Sequence, residues 1–333
     1  MKKPRCVTAV LLMVLILGLT QAGCVSGYQK NIAATTDQGD RKLKIVTTIY
    51  PLYDFTRNIA GEKAEVLCLV APGSEPHGWE PTPRDLAEIQ KADVFIYCGA
   101  GMEEWIEKAI NGIDKQRTVV VDASRNIQLI TLTDEESDGA EFPDTDSSAG
   151  SVNGKRHNID PHIWLDPVNA MQMVENICAG LAKADPASKE FYDANALGYR
   201  KKLEELDGEY KKGLANAPLR EFITSHAAFG YLAKRYGLIQ IPVRGLSPEV
   251  EPTPARMAEV VKIAKEKNIH YIFFETLVSP KISQIIAGEA GAQTLVLNPV
   301  GGLTQDELNR GEDYLSIMRK NLANLQKGLE VRP

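Results

Sequence analysis

From Leu43 onward, short apolar runs alternate with segments whose apolar residues recur every three to four positions. Residues 43–49 read as a strand, and Pro51 opens a helix that Gly61 stops. The strand pattern returns at 65–70, 94–98 and 118–121. Between these runs, Thr82-Pro83 supplies an N-cap and first-turn proline for a helix to Lys91, and 103–110 reads as another helix. Strands separated by helices pair in parallel, so this half predicts an α/β layered lobe. A helix is predicted from Pro167 to residue 184, and a longer one over 188–216. In the latter, Phe191, Leu197, Leu203, Leu206, Tyr210 and Leu214 approximate one apolar face. At 1.5 Å per residue that helix is about 40 Å long, enough to run along two lobes as a spine. The alternation then restarts. Strands are predicted at 221–225, 238–243, 271–274 and 294–297, and helices at 227–236, 254–267, 281–287 and 313–328. The pattern predicts two α/β lobes, each a parallel-type sheet flanked by helices, joined by one long helix. It contains no short repeat.

Upstream of Leu43 the pattern is different. Lys2, Lys3 and Arg5 precede an apolar run over 7–19, broken only by Thr8 and Gly18, and Ala22-Gly23 then precede Cys24. The run is too short to cross about 30 Å of hydrocarbon, so it reads as an export signal. A cysteine directly after the cleavage position is similar to a bacterial lipoprotein box, in which Cys24 is lipidated; Gln21 stands where that box usually has leucine. The alternative is ordinary cleavage and a soluble secreted protein. Residues 25–41 are polar and aperiodic, a tether. A second polar stretch is rich in Asp, Glu, Ser and Gly and has too few apolar residues to pack; His157 ends it, either an accessory cation contact or a solvated residue. The chain thus divides into a signal segment 1–23, a tether 24–41, a first lobe 42–185 with an acidic insertion 133–157, a linking helix 186–216 and a second lobe 217–333.

Composition narrows the function. A formal charge of −6 over 333 residues offers no basic field to recruit nucleic acid. Five cysteines are an odd count for an exported chain, and none lies in a Cys-x-x-Cys pair, which speaks against thiolate metal sites and redox motifs. Cys68 and Cys98 sit in apolar strands, where cysteine serves as a small hydrophobe.

The chemistry rests with the five histidines. His77 lies in Gly73-Ser74-Glu75-Pro76-His77-Gly78-Trp79-Glu80-Pro81-Thr82-Pro83, a loop stiffened by three prolines. His162 lies in Asp160-Pro161-His162-Ile163-Trp164-Leu165-Asp166-Pro167, a second rigid loop or short strand. His226 ends a strand. In open parallel sheets, ligands bind beyond the carboxyl ends of the strands, so a cleft between the lobes brings these three within reach of one another. Three neutral imidazoles suit zinc best, with copper and nickel also possible, whereas manganese prefers more carboxylate. Each histidine taken alone is more often a packed or solvated residue than a ligand, and His270, just before a strand, is read that way outright. Glu80 and Asp166 are candidates for hydrogen bonds to imidazole and equally for helix caps. Glu249 and Glu251 read as cap or cleft-rim residues, and Trp79 and Trp164 as packing beside the histidines.

Three blocks carry a family resemblance: Pro76-His77-x-Trp79-Glu80-Pro81-Thr82, the 160–167 segment, and Thr224-Ser225-His226-Ala227-Ala228-Phe229-Gly230-Tyr231-Leu232. With Leu246-Ser247-Pro248-Glu249-Val250-Glu251-Pro252-Thr253-Pro254 and Phe273-Phe274-Glu275, they resemble, in order, the zinc- and manganese-binding solute receptors of bacterial ABC importers. The resemblance covers nearly the whole mature chain. It implies two lobes on a rigid helix, a metal in the cleft held by His77, His162 and His226, and delivery to an ABC permease with its ATPase. It also implies a monomer on the outer side of the cell membrane, attached through its lipid alone. Manganese members carry glutamate at the third position, so His226 points to Zn2+ over Mn2+. The family often adds a fourth carboxylate after the last strand. Here Asn298 and Gly301 occupy that region, which leaves the position to water, to Glu75 or to the acidic insertion; water is the expectation. Two other readings share the layout. One is a secreted zinc-dependent hydrolase, although no His-Glu-x-x-His helix or Gly-x-Ser-x-Gly elbow appears. The other is a surface adhesin using the same fold.

Overall fold

The computed structural model describes residues 41–131 and 159–332. The signal segment, Cys24, residues 25–40 and the 133–157 insertion with His157 lie outside the described residues. The first lobe runs β1 (Leu43–Thr47), α1 (Tyr50–Ala60), β2 (Ala64–Cys68), α2 (Pro83–Lys91), β3 (Val94–Tyr97), α3 (Ile106–Asn111), β4 (Val119–Asp122) and α4 (Pro167–Ala184). After a single 3-10 turn, α5 (Lys189–Leu214) leads to the second lobe. There follow β5 (Glu221–Thr224), α6 (Gly230–Tyr236), β6 (Ile239–Pro242), α7 (Pro254–Glu266), β7 (Tyr271–Phe274), α8 (Lys281–Ala290), β8 (Gln293–Val296), α9 (Gln305–Asn309) and α10 (Tyr314–Gly328).

All strand pairs are parallel, in the orders β2-β1-β3-β4 and β6-β5-β7-β8. Both sheets therefore reverse direction of growth beside their first strand, which opens a crevice at its carboxyl end. Starts of helices follow local chemistry. Thr82 and Asp85 form a capping box for α2 with Pro83 in the first turn, and Asp166 caps α4 through the Val168 N–H. Thr253 does the same for α7.

Several elements differ from the sequence reading, three of them around the site. α3 starts at Ile106 because the buried Glu103 side chain accepts the Cys98 and Gly99 N–H groups at 2.8 and 3.1 Å and the Thr48 hydroxyl, which fixes the chain as a loop there. α6 starts at Gly230 because the Ala227 N–H donates to Gly245 O and turns the chain first. The His162 segment is neither loop nor strand throughout but contains one 3-10 turn, Ile163–Leu165.

α5 has 26 residues, about 39 Å at helical rise. The Tyr199 hydroxyl donates to Asp54 Oδ2 of α1 at 2.7 Å, and the Tyr210 hydroxyl to Met318 O of α10 at 2.6 Å. One apolar core runs behind both sheets, from Ile45 and Phe55 through Trp164 and Tyr199 to Phe222, Tyr314 and Leu325. Two smaller cores close the outer faces, one under α2 and α3 and one under α7 and α8.

Candidate metal centre

Each histidine reaches the junction of the lobes by a different local device. The 71–82 loop carries His77 from the end of β2, and Gly73 N–H ties it to Leu303 O at 2.8 Å. A proline between an acid and a histidine has no N–H of its own, so the acid can reach over it to the N–H of the histidine. That happens twice. Asp160 Oδ1 accepts the His162 N–H at 2.9 Å and ring Nδ1 at 2.8 Å. Glu75 Oε1 accepts the same two groups of His77, at 3.4 and 2.6 Å. His226 finds its carboxylate through the sheet instead. Ile223 of β5 pairs with Ile272 of β7, so the residues three further on, His226 and Glu275, stand side by side, with Nδ1 2.7 Å from Glu275 Oε1.

With all three Nδ1 atoms committed to acidic side chains, the Nε2 atoms turn inward. His162 Nε2 lies 3.0 Å from that of His77 and 3.2 Å from that of His226, and the three residues' ligand atoms fall within 4.8 Å of one another. Nδ1–H donation fixes the tautomer that leaves a lone pair on Nε2. Lone pairs crowded to this distance repel unless a cation sits among them. Nitrogens bound tetrahedrally at 2.0–2.1 Å to one zinc ion stand about 3.3 Å apart, close to the spacing found.

Burial sets the charge state. It pushes His162 down to about 3, with the Asp160 hydrogen bond opposing and the neighbouring imidazoles adding to the fall. Burial, then the charge of His77, holds His226 well below the ordinary value. Burial would raise Glu75, but the hydrogen bond and charge of His77, helped by His226, hold it below the usual range. Glu275 goes the other way, pushed up to about 8 by burial and by Glu75. His162 and His226 are therefore neutral, ligand-ready imidazoles at neutral pH.

A crevice of about 10 Å³ opens beside His77 and His162, lined by Glu75, Trp164, Gly301 and Gly302 among others. That is room for one water. The backbone is drawn in tightly there: a Cβ at Gly301 would stand 3.1 Å from Pro76 Cγ, and one at Gly302 3.1 Å from Ser74 O. Trp164 is fully buried against His162, its indole N–H donating to Pro299 O at 2.7 Å. Trp79 packs on Trp105 instead.

The other candidates separate. Glu75 stands behind His77 on Nδ1. Asn298 is buried and fully engaged: it accepts the Val300 N–H and donates to Thr276 Oγ1 and Glu307 Oε1, bracing the last loop. Glu80 is exposed and lines neither the histidine cluster nor the crevice. Asp166 caps α4 and pairs with Arg235, leaving imidazole to others. Glu249 lies at the rim, its carboxylate 2.6 Å from where a Cβ of Gly78 would be. His270 is exposed and paired with Glu330. The sequence reading missed Asp160 and Glu275 as orienting carboxylates. The repeated acid-Pro-His signalled the first, whereas the second depends on strand register.

Two parallel-sheet lobes on one helix, with three backed imidazoles converging between them, define a metal-binding solute receptor. The family described as zinc-uptake complex component A, periplasmic (ZnuA), matches residues 45–328. The high-affinity zinc uptake system protein ZnuA of Bacillus subtilis is 42% identical over 314 residues, 94% of this chain and 95% of that protein. The zinc-binding lipoprotein AdcA of Streptococcus pneumoniae is 41% identical over 301 residues, 89% of this chain but 58% of that longer protein. The crystal structure of its zinc(II)-bound ZnuA-like domain superposes with TM-score 0.73 at 39% identity, covering 87% of this chain and 100% of that one. The laminin-binding protein Lmb of Streptococcus agalactiae, described as an adhesin with metal-transporting activity, gives TM-score 0.74 at 32% identity over 87% of this chain and 100% of that one. The chain belongs to the ZnuA family of zinc-uptake components.

Proposed function

We propose that this chain captures zinc outside the cytoplasm with His77, His162 and His226 and delivers it to an ABC permease powered by its ATPase. The observation that carries this reading is the convergence of three Nε2 atoms, each imidazole backed on Nδ1 by the carboxyl group of an acidic side chain. Three imidazoles favour zinc over manganese, which takes more oxygen ligands. The names and zinc-bound state of relatives agree with that choice. A water in the crevice beside Gly301 completes the fourth position. Cys24 is the lipid attachment point, 24–41 the tether, and the protein a monomer facing outward; Cys24→Ser releases it from the membrane fraction if this is right.

The second reading, a zinc hydrolase, shares three histidines and a water. Glu75, Asp160 and Glu275 each sit on a histidine Nδ1, a support that transport and catalytic zinc sites share, so turnover is what separates the two readings. Metal analysis of protein purified from cells tests the proposal. Stoichiometric zinc, lost in His77→Ala, His162→Ala and His226→Ala and accompanied by no turnover of ester, peptide or phosphate substrates, supports it. Zinc retained in all three variants refutes it.

A further inference from the structure

His162 comes from the segment before α4, yet much of what holds that segment comes from the helix after His226. Tyr231 and Arg235 are one turn apart on α6 and so share a face. The Tyr231 hydroxyl, on a side chain 4% exposed, donates to Asp160 O and accepts the Ile130 N–H, both at 2.9 Å. It thereby joins the two chain stretches that pair at Thr131 and Ile159. Arg235 grips Asp166 with three contacts of 2.7–3.0 Å. At its first residue, α6 comes so close that a Cβ on Gly230 would stand 2.6 Å from Asp160 Oδ2, the second oxygen of the carboxylate that orients His162. His226 lies on the same continuous stretch, four residues before Gly230.

We propose that α6 is a strap that positions His162, with Tyr231 and Arg235 as positioning residues fastening the 160–166 segment to the helix that follows His226. Two of the three imidazoles are thereby held as one unit across the lobe junction. The inference rests on the reading of the three histidines as a metal site and adds the element that keeps their spacing. Asp166 sits four residues beyond His162 and Asp160 two before it, so the strap grips both sides of the ligand. Loosening it lets the His162 ring drift from its 3.0 and 3.2 Å neighbours without removing any ligand.

The test uses the full chain carrying Tyr231→Phe or Arg235→Gln, with Arg235→Lys as the conservative partner. Zinc release is followed under excess chelator, and the visible ligand-field bands of bound cobalt(II) report coordination geometry. Tyr231→Phe is expected to release zinc about tenfold faster and to shift the cobalt bands, as changes behind metal ligands do. Arg235→Gln moves both readouts in the same direction, and Arg235→Lys restores part of the change. The Arg235 side chain is 32% exposed, so its variants keep the test available should Tyr231→Phe not fold. Parental release rates and cobalt spectra in folded variants, even with lowered melting temperature, overturn the strap. In that case the histidine→Ala variants still lose zinc; if those retain it, the metal reading itself has failed.

Discussion

Replacing Asp160 separates what its carboxylate does for the fold from what it does for the ion. The side chain is 1% exposed, and one oxygen accepts both the backbone N–H and the ring Nδ1 of His162, at 2.9 and 2.8 Å. Asp160→Ala strands two buried donors. At roughly 1–3 kcal/mol for each unsatisfied group, the loss is about 2–6 kcal/mol of stability. For a chain of this size that lowers the melting temperature by roughly 5–15 °C. Zinc affinity falls as well, by about 10- to 100-fold, because the ring loses both its fixed tautomer and the negative charge that raises its basicity. Asp160→Asn keeps a carbonyl oxygen for both N–H groups but removes the charge. Its melting temperature therefore stays near that of the parent while zinc affinity still drops by about tenfold. Chelator-competition titration and thermal unfolding of the zinc-free protein read the two effects separately. Parental affinity and parental melting temperature in Asp160→Ala would show that the carboxylate neither orients the ring nor supports the segment, and the reasoning would fall.

Two further outcomes follow from groups away from the histidines. Burial pushes Asp54 up to about 6, partly opposed by the hydrogen bond from Tyr199, so the folded state holds its proton more tightly than the unfolded chain does. Its contribution is full below about pH 4 and is lost as pH rises through about 6, a difference of roughly 3 kcal/mol before relaxation. Asp54→Asn should raise the melting temperature at pH 7.5 and flatten its slope between pH 4 and 6. Glu103, pushed up to about 7 by burial, leaves a residual slope above that. An unchanged profile in Asp54→Asn contradicts the assignment. In the α4 contact with β4, a Cβ on Gly180 would stand 2.3 Å from Val121 Cγ2. Gly180→Ala then costs about 1–3 kcal/mol in overpacking, offset by up to about 1 kcal/mol of helix propensity. Adding Val121→Ala should recover stability; no recovery on denaturant titration rules out that clash.

Much of the architecture was legible because each element is marked locally. Pro83, Pro167 and Pro254 each begin a helix, and apolar strands recur between helical periods. α9 escaped because its five residues carry no period, although Thr304 and Glu307 form a capping box. The three histidines that converge could be singled out from loop stiffness, strand ends and resemblance, whereas the groups behind them could be read only in part. Glu75 and Asp160 are two residues from their histidines and so within the reach of local reasoning. Glu275 is 49 residues from His226, and only the β5–β7 register brings them together. Arg235 and Tyr231 are further still from the residues they hold, 69 and 71 positions, and nothing local marks such a pairing. Asn298 misled for a different reason. A buried amide in the right stretch has the chemistry of a ligand, but its hydrogen bonds are all consumed by the loop it braces.

α5 makes a mechanical statement about the receptor. It holds the first lobe through Tyr199 and the second through Tyr210, with ten residues of proline-free helix between the two anchors. A connection of that kind acts as a leaf spring and not as a hinge: the lobes part only as far as the helix flexes, and the flexed form returns by itself. Little chain has to be ordered when an ion arrives, so the attraction of the three imidazoles is expressed nearly in full as affinity.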